Sequence, residues 1–238
     1  MKLRAISKSL AAALLICGLP GAASAGLITN IGTIILPGAS TGSFGPVSTP
    51  SPNNDNLATA SPNTLPYSVF FNAGGVGNLD VEYVVVNSGG TTEYRVTTQL
   101  PGVVNNTGQE WRDFHFQLGF GVGASFVPSG ALDALDFDTP DRDPSPTSSV
   151  FTALSHQADA LDWTGGVVPS IGGVRFELAI DVPDNLQLIN PNGVNRFTLR
   201  QTPTLGPTEV SEPTTATLLL AGLVGLLGYG WRRRQRVA

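Results

Sequence analysis

The chain has 238 residues and a formal charge of −5, and that figure hides an asymmetry. Three of its 13 Lys and Arg fall in the first eight residues and four in the last seven, leaving residues 26–209 with six arginines, no lysine and seventeen carboxylates. A body of net charge −11 (six positive, seventeen negative) lacks the basic footprint that nucleic acid or an anionic membrane surface requires, and is compatible with divalent cations or neutral polysaccharide.

Lys2, Arg4 and Lys8 give a positive start, Leu10 to Leu19 an apolar stretch, and Ala23-Ser24-Ala25 an A-x-A cleavage site. These are the parts of a secretory signal peptide over residues 1–25, so the mature chain is expected to begin at Gly26. Cys17, the one cysteine, lies in the segment to be removed and follows Ile16, where a lipoprotein needs a small residue. The exported body therefore has no thiol, disulfide or cysteine metal site, and burial and hydrogen bonds must stabilise it.

Leu27 to Leu36 is β-branched and apolar and predicts a first strand. Residues 37–66, dense in Pro, Gly, Ser and Asn, read as an extended surface excursion. From Tyr67 to Asn72 onward the pattern has strand period. Leu79, Val81, Tyr83 and Val85 alternate with Asp80 and Glu82; Asn87-Ser88-Gly89-Gly90 follows as a turn; Tyr94, Val96 and Thr98 then alternate with Glu93, Arg95, Thr97 and Gln99. Two alternating runs joined by a glycine-containing link predict a hairpin. Phe114, Phe116, Leu118 and Phe120 alternate with Asp113, His115 and Gln117. Val174, Phe176, Leu178, Ile180 and Val182 alternate with Arg175, Glu177 and Asp181, and Phe197 to Gln201 gives a last strand before a linker over residues 202–209. Strict alternation means one buried and one wet face, so residues 26–201 predict an all-β antiparallel β-sandwich, jelly-roll-like or immunoglobulin-like.

The most distinctive internal run is Asn105-Asn106-Thr107-Gly108-Gln109-Glu110-Trp111-Arg112-Asp113-Phe114-His115-Phe116. Its first four residues are turn chemistry. Trp111 could stack on a sugar ring while Asp113 and His115 hydrogen-bond to it; alternatively, Trp111 caps the core and the polar pair lies on a solvated face. Asp133, Asp136, Asp138, Asp141 and Asp143 lie within eleven residues, and loop carboxylates so spaced can converge on Ca²⁺, although no EF-hand pattern is present. No other cofactor is implied. Only His115 and His156 are available for acid–base work, and no nucleophile elbow or His-Glu-x-x-His occurs, so the body is expected not to be an enzyme. A Ser-His-Asp type of site would have to assemble across strands. The glycine-dense Gly74-Gly75-Val76-Gly77 and Gly119-Phe120-Gly121-Val122-Gly123 lack a following helix and read as turns or bulges.

The segment from Val210 to Ala238 has three parts: a polar stretch with Glu212-Pro213, an uncharged run over residues 216–231, and Arg232, Arg233, Arg234 and Arg236. Clustered arginines hold the end of such a span on the cytoplasmic side. At roughly 1.5 Å per residue the run reaches about 24 Å, short of a hydrocarbon core of about 30 Å, and it carries Gly222, Gly225, Gly228 and Gly230. A disposable signal suits that better than a permanent anchor or a buried core helix. The order Glu-Pro-Thr-Thr, apolar helix, Arg cluster resembles the PEP-CTERM sorting signal of exported proteins from Gram-negative bacteria that make extracellular polysaccharide; Ser211 replaces the first Pro of the name. An Asn-x-Thr-Gly, Trp, Asp-aromatic-His run like that at residues 105–115 is similar to runs in ectodomains of such proteins. The resemblance implies that exosortase, a membrane-embedded transpeptidase, cuts near Glu212-Pro213 and releases or transfers the body.

Together these readings predict an exported protein that passes through an inner-membrane intermediate to the cell surface or matrix. Its sandwich is expected to be structural or adhesive within an exopolysaccharide or biofilm layer. The alternatives are a carbohydrate- or Ca²⁺-dependent binding module and a hydrolase of matrix polymers.

Overall fold

A computed structural model describes residues 25–47, 61–74, 76–90, 92–130, 134–137, 145–206 and Val224. The expected signal peptide before Ala25, the expected membrane helix apart from Val224, and most of the acidic run lie outside these residues. Among the described residues, no helix is long and apolar enough to cross a membrane.

The chain forms β1 (Ala25–Ile35), β2 (Thr41–Phe44), β3 (Thr64–Asn72), β4 (Leu79–Gly90), β5 (Thr92–Asn106) and β6 (Trp111–Phe120). It continues through β7 (Val127–Pro128), β8 (Thr147–Ser148), β9 (Ala153–His156), β10 (Ala160–Thr164), β11 (Gly172–Val174), β12 (Phe176–Val182) and β13 (Arg196–Leu205). One sheet runs β1-β4-β13-β6-β10-β9, with β7 also on β6; the other runs β2-β3-β5-β12-β8, with β11 also on β5. All pairings are antiparallel except β3 with β5, which is parallel. The fold is all-β, as expected, with the two sheets facing each other across one core.

Alternation places that core. Leu79, Val81 and Tyr83 of β4, Phe114, Phe116 and Leu118 of β6, and Phe197 and Leu199 of β13 are buried from one side. Tyr67, Val69 and Phe71 of β3, Tyr94 and Val96 of β5, and Leu178 and Ile180 of β12 meet them from the other. Phe176 bolts the sheets together: its ring centroid lies 4.8 Å from Phe114 and 4.9 Å from Phe116, with Trp163 of β10 at 5.9 Å. Edge-on and tilted contacts of this kind add to the large apolar area such rings bury. Burial also raises the hydroxyl pKa of Tyr94 to about 12, although Ile28 N–H donates to the Tyr94 oxygen and opposes the rise.

Several expectations are corrected. β4 and β5 do not form a hairpin, because the chain crosses from one sheet to the other between them. Both strands bury an alternating face, so they meet across the core rather than edge to edge; alternation identifies the buried face and not the partner. Thr202–Leu205, read as linker, continue β13, with Pro203 buried opposite Phe114. Within the expected excursion, β2 and the first residues of β3 are regular strand. The run around Phe176 is broken at Arg175 into β11 and β12, where the Thr98 hydroxyl replaces strand pairing by accepting from Phe176 N–H at 2.8 Å.

On the outer face of β4 and β13, a loop lid buries charge. Asp80 and Arg200 form a two-point ion pair at 2.7 and 2.8 Å. The turn at Gly121 and Gly123, both with positive φ, folds over it. Gly123 N–H donates to Asp80 at 2.6 Å, Arg200 donates to Gly123 O at 2.9 Å, and the guanidinium sits 3.8 Å above the Phe126 ring. Neighbouring Glu82–Arg196, at 2.9 Å, has its arginine 45 % exposed, against 15 % for Arg200. Removing one partner of a buried pair leaves an uncompensated charge and costs about 3–5 kcal/mol, whereas an exposed pair contributes about 0–1 kcal/mol. Glu82 keeps 11 % side-chain exposure against 1 % for Asp80, so Arg200→Ala is expected to lower the denaturation midpoint more than Arg196→Ala, as measured by chemical unfolding of the two variants side by side.

Candidate functional site

The run from Asn105 to Phe116 spans the end of β5, a tight turn and the start of β6. Asn105 is fully buried and braces the turn. Its Oδ1 accepts from Thr107 N–H at 3.1 Å and from the Thr107 hydroxyl at 2.7 Å, while its Nδ2 donates to Gln109 O at 2.7 Å and Val168 O at 3.1 Å. Gly108 takes φ +86°. The asparagine and glycine are thus turn chemistry, as expected.

At the start of β6 the register against β13 slips: Leu205 pairs with Trp111 but Thr204 pairs with Asp113. One residue, Arg112, is extra, which is the geometry of a β-bulge. The slip turns Trp111 inward and sets Asp113, His115 and Gln117 outward. Trp111 has 0 % exposure, its ring edge-on to Phe71 at 5.2 Å and tilted on Phe114 at 5.9 Å. A ring with no free face cannot stack on a sugar, so the ligand role considered for Trp111 is corrected: it belongs to the core.

His115 does join a site, through partners far away in sequence. Its Nδ1 lies 2.7 Å from Asp162 Oδ1 on β10, and its Nε2 lies 2.9 Å from Thr204 Oγ1 on β13. Asp162 is its direct cross-strand neighbour, while Thr204 reaches it diagonally from the position opposite Asp113. A carboxylate only accepts, which assigns a proton to Nδ1; in the neutral form of the ring Nε2 is then the acceptor for the Thr204 hydroxyl. The chain Asp162–His115–Thr204 spans three adjacent strands, with His115 and Asp162 side chains 37 and 38 % exposed. Asp113 lies next to it on the same face. His156 is separate, its Nε2 3.2 Å from Phe137 O.

Of the acidic run, Asp136 is described: Asp181 N–H donates to its carbonyl at 2.9 Å, and Asp181 is the register partner of Glu93. Asp133, Asp138, Asp141 and Asp143 lie outside the described residues. Among those described, no three His, Asp or Glu side chains are grouped to hold a metal ion.

A groove of about 320 Å³ that sequence reasoning missed lies between β5, β12 and β8. Thr97, Thr147, Ser149, Arg175 and Glu177 line it, and Glu177 pairs with Arg95 at 3.2 Å. Its only signal in the sequence was a density of hydroxyls at Thr97-Thr98 and Thr147-Ser148-Ser149.

The body ends where the sorting segment begins. Gly206 N–H donates to Glu110 O at 2.9 Å, and a Cβ there would stand 2.9 Å from Glu110 Oε1 and 3.0 Å from Arg112 Nε, which themselves form an ion pair. Folded structure therefore continues to Gly206. Ala25, at the other end, opens β1 opposite Gly90. Ala23, Glu212, Pro213, Arg232, Arg233 and Arg234 lie outside the described residues.

Because Asn105 satisfies four groups around the start of β6, Asn105→Ala strands buried donors and acceptors, each costing about 1–3 kcal/mol. It is expected to lower the melting temperature far more than His115→Ala, whose partners lie partly in water, when both are measured by calorimetry.

No curated protein and no solved structure matches the chain. A family model described as the PEP-CTERM protein-sorting motif matches residues 209–234, beginning three residues after Gly206, where the described part of the sandwich ends. The chain carries a PEP-CTERM sorting motif, the mark of an exported protein processed by exosortase at the membrane on its way to the cell surface.

Proposed function

We propose that the sandwich is a non-enzymatic structural or adhesive component of an extracellular polysaccharide layer, delivered there by its C-terminal signal. The observation that carries this reading is the fit between fold and motif. One continuous core occupies the chain from β1 to β13, and the motif follows at residue 209 without an intervening domain. From Gly206 to Glu212 is six residues, about 20 Å when extended. The body would thus be held within one domain diameter of the cleaving enzyme. Deleting residues 210–238 is expected to change both the processed mass and the fraction in which the protein is recovered from its host. Identical fractionation of truncated and full-length protein defeats the sorting part of the proposal.

A second reading, carbohydrate binding, is favoured by the groove. Thr and Ser hydroxyls and Arg175 line it around one carboxylate, Glu177, which Arg95 pairs, so a strongly acidic body presents a locally less negative, hydrogen-bonding concavity. Binding on a glycan array that survives chelator and falls at least tenfold in Arg175→Ala supports this reading. Binding abolished by chelator points instead to Ca²⁺ at the acidic run, and absence of binding leaves the structural role.

A further inference from the structure

The chain of hydrogen bonds at His115 has a chemical consequence beyond delivery or adhesion, and it stands independently of the sorting reading. An ordinary surface threonine is a poor nucleophile because nothing nearby takes its proton. Thr204 differs. Its hydroxyl is exposed on the outer face of β13 and sits 2.9 Å from His115 Nε2, within reach for proton transfer. The opposite ring nitrogen is held by Asp162 at 2.7 Å, which fixes the tautomer that leaves Nε2 as a base and stabilises the imidazolium formed when it accepts a proton. Three adjacent strands hold the three residues: β10 and β13 both pair with β6, so the spacing is set by the ladder rather than by a loop. Nucleophile, base and orienting carboxylate in this order are the arrangement by which hydroxyls are activated for covalent chemistry.

We propose that Thr204 is a base-assisted acyl-acceptor site that takes an acyl group from a reactive ester or thioester. Thr204 Oγ1 attacks the acyl carbon as its proton passes to His115 Nε2. The tetrahedral adduct then expels the alcohol or thiol, which leaves with the proton from Nε2. The product is an ester on Thr204 and a neutral imidazole, with no change in oxidation state. An exposed strand face offers access without enclosure, which suits one transfer per chain from a reactive donor rather than turnover of a bound substrate.

The test uses the full-length protein in detergent with p-nitrophenyl acetate, following nitrophenolate release and locating acetyl groups by peptide mass spectrometry. The expected result is one acetyl group per chain on the peptide carrying Thr204, absent in Thr204→Val. General-base assistance contributes typically about 10²–10⁴-fold, so His115→Gln should slow the transfer by about 100-fold or more. Thr202→Val serves as the control, because the Thr202 hydroxyl donates to Asn78 at 2.9 Å rather than to His115; its rate should be unchanged. Should His115→Gln fail to fold, Asp162→Asn keeps the side-chain shape, removes the anionic partner, and should slow the transfer at least tenfold. Acetylation scattered over other hydroxyls, or a Thr204 rate indifferent to both His115→Gln and Asp162→Asn, overturns the proposal.

Discussion

The structure depends on one strand, β13, being gripped on both sides. It lies between β4 and β6, and without it their sheet would separate into β1-β4 and β6-β10-β9. Its inward residues Phe197, Leu199, Gln201 and Pro203 are buried, and Gln201 accepts from the Tyr67 hydroxyl at 2.8 Å across the core. Its outward residues hold the rest: Arg196 and Arg200 neutralise the carboxylates of β4, and Thr204 completes the His115 chain. Core, buried charge and surface chemistry all pass through ten residues.

Those ten residues are also the last of the body. The pairs β13 makes with β4 and β6 link positions 79 residues apart (Thr198 with Gly119) or more, and non-local pairing of this kind is slow to form. The sandwich cannot close until Leu205 is in place, and the sorting motif begins at residue 209. Folding of the exported body and presentation of its signal are therefore tied to the same short stretch of chain. Gly206, pinned to Glu110 beneath the Glu110–Arg112 pair, ties the end of β13 to the start of β6 three residues before the motif.

Much of this was legible because burial on a sheet has a period of two. The alternation of β4, β6 and β12 named the inward residues, and the turn chemistry of Asn105 and Gly108 was readable from side-chain size and polarity alone. Pairing was not legible, since a strand's own sequence says which face is dry and nothing about its neighbour. That is why β4 and β5 read as a hairpin, and why the parallel match of β3 to β5 went unseen. Thr202-Pro203-Thr204 read as linker because proline removes a donor. In the structure Pro203 is buried next to Gln201, which is where β13 outruns β4: beyond that residue the strand has a ladder on the β6 side alone.

The same limit explains the site. Trp111 and His115 sit four residues apart in one run, and a regular strand would put both on one face. The bulge at Arg112 places them on opposite faces, so the residue best suited by type to touch a sugar is sealed in the core while the histidine stays in reach of solvent. What His115 can do is then decided by register, with Asp162 and Thr204 lying 47 and 89 residues away. A single inserted residue thus converts a conspicuous motif into a structural brace, and makes a site from an aspartate and a threonine that no motif singles out.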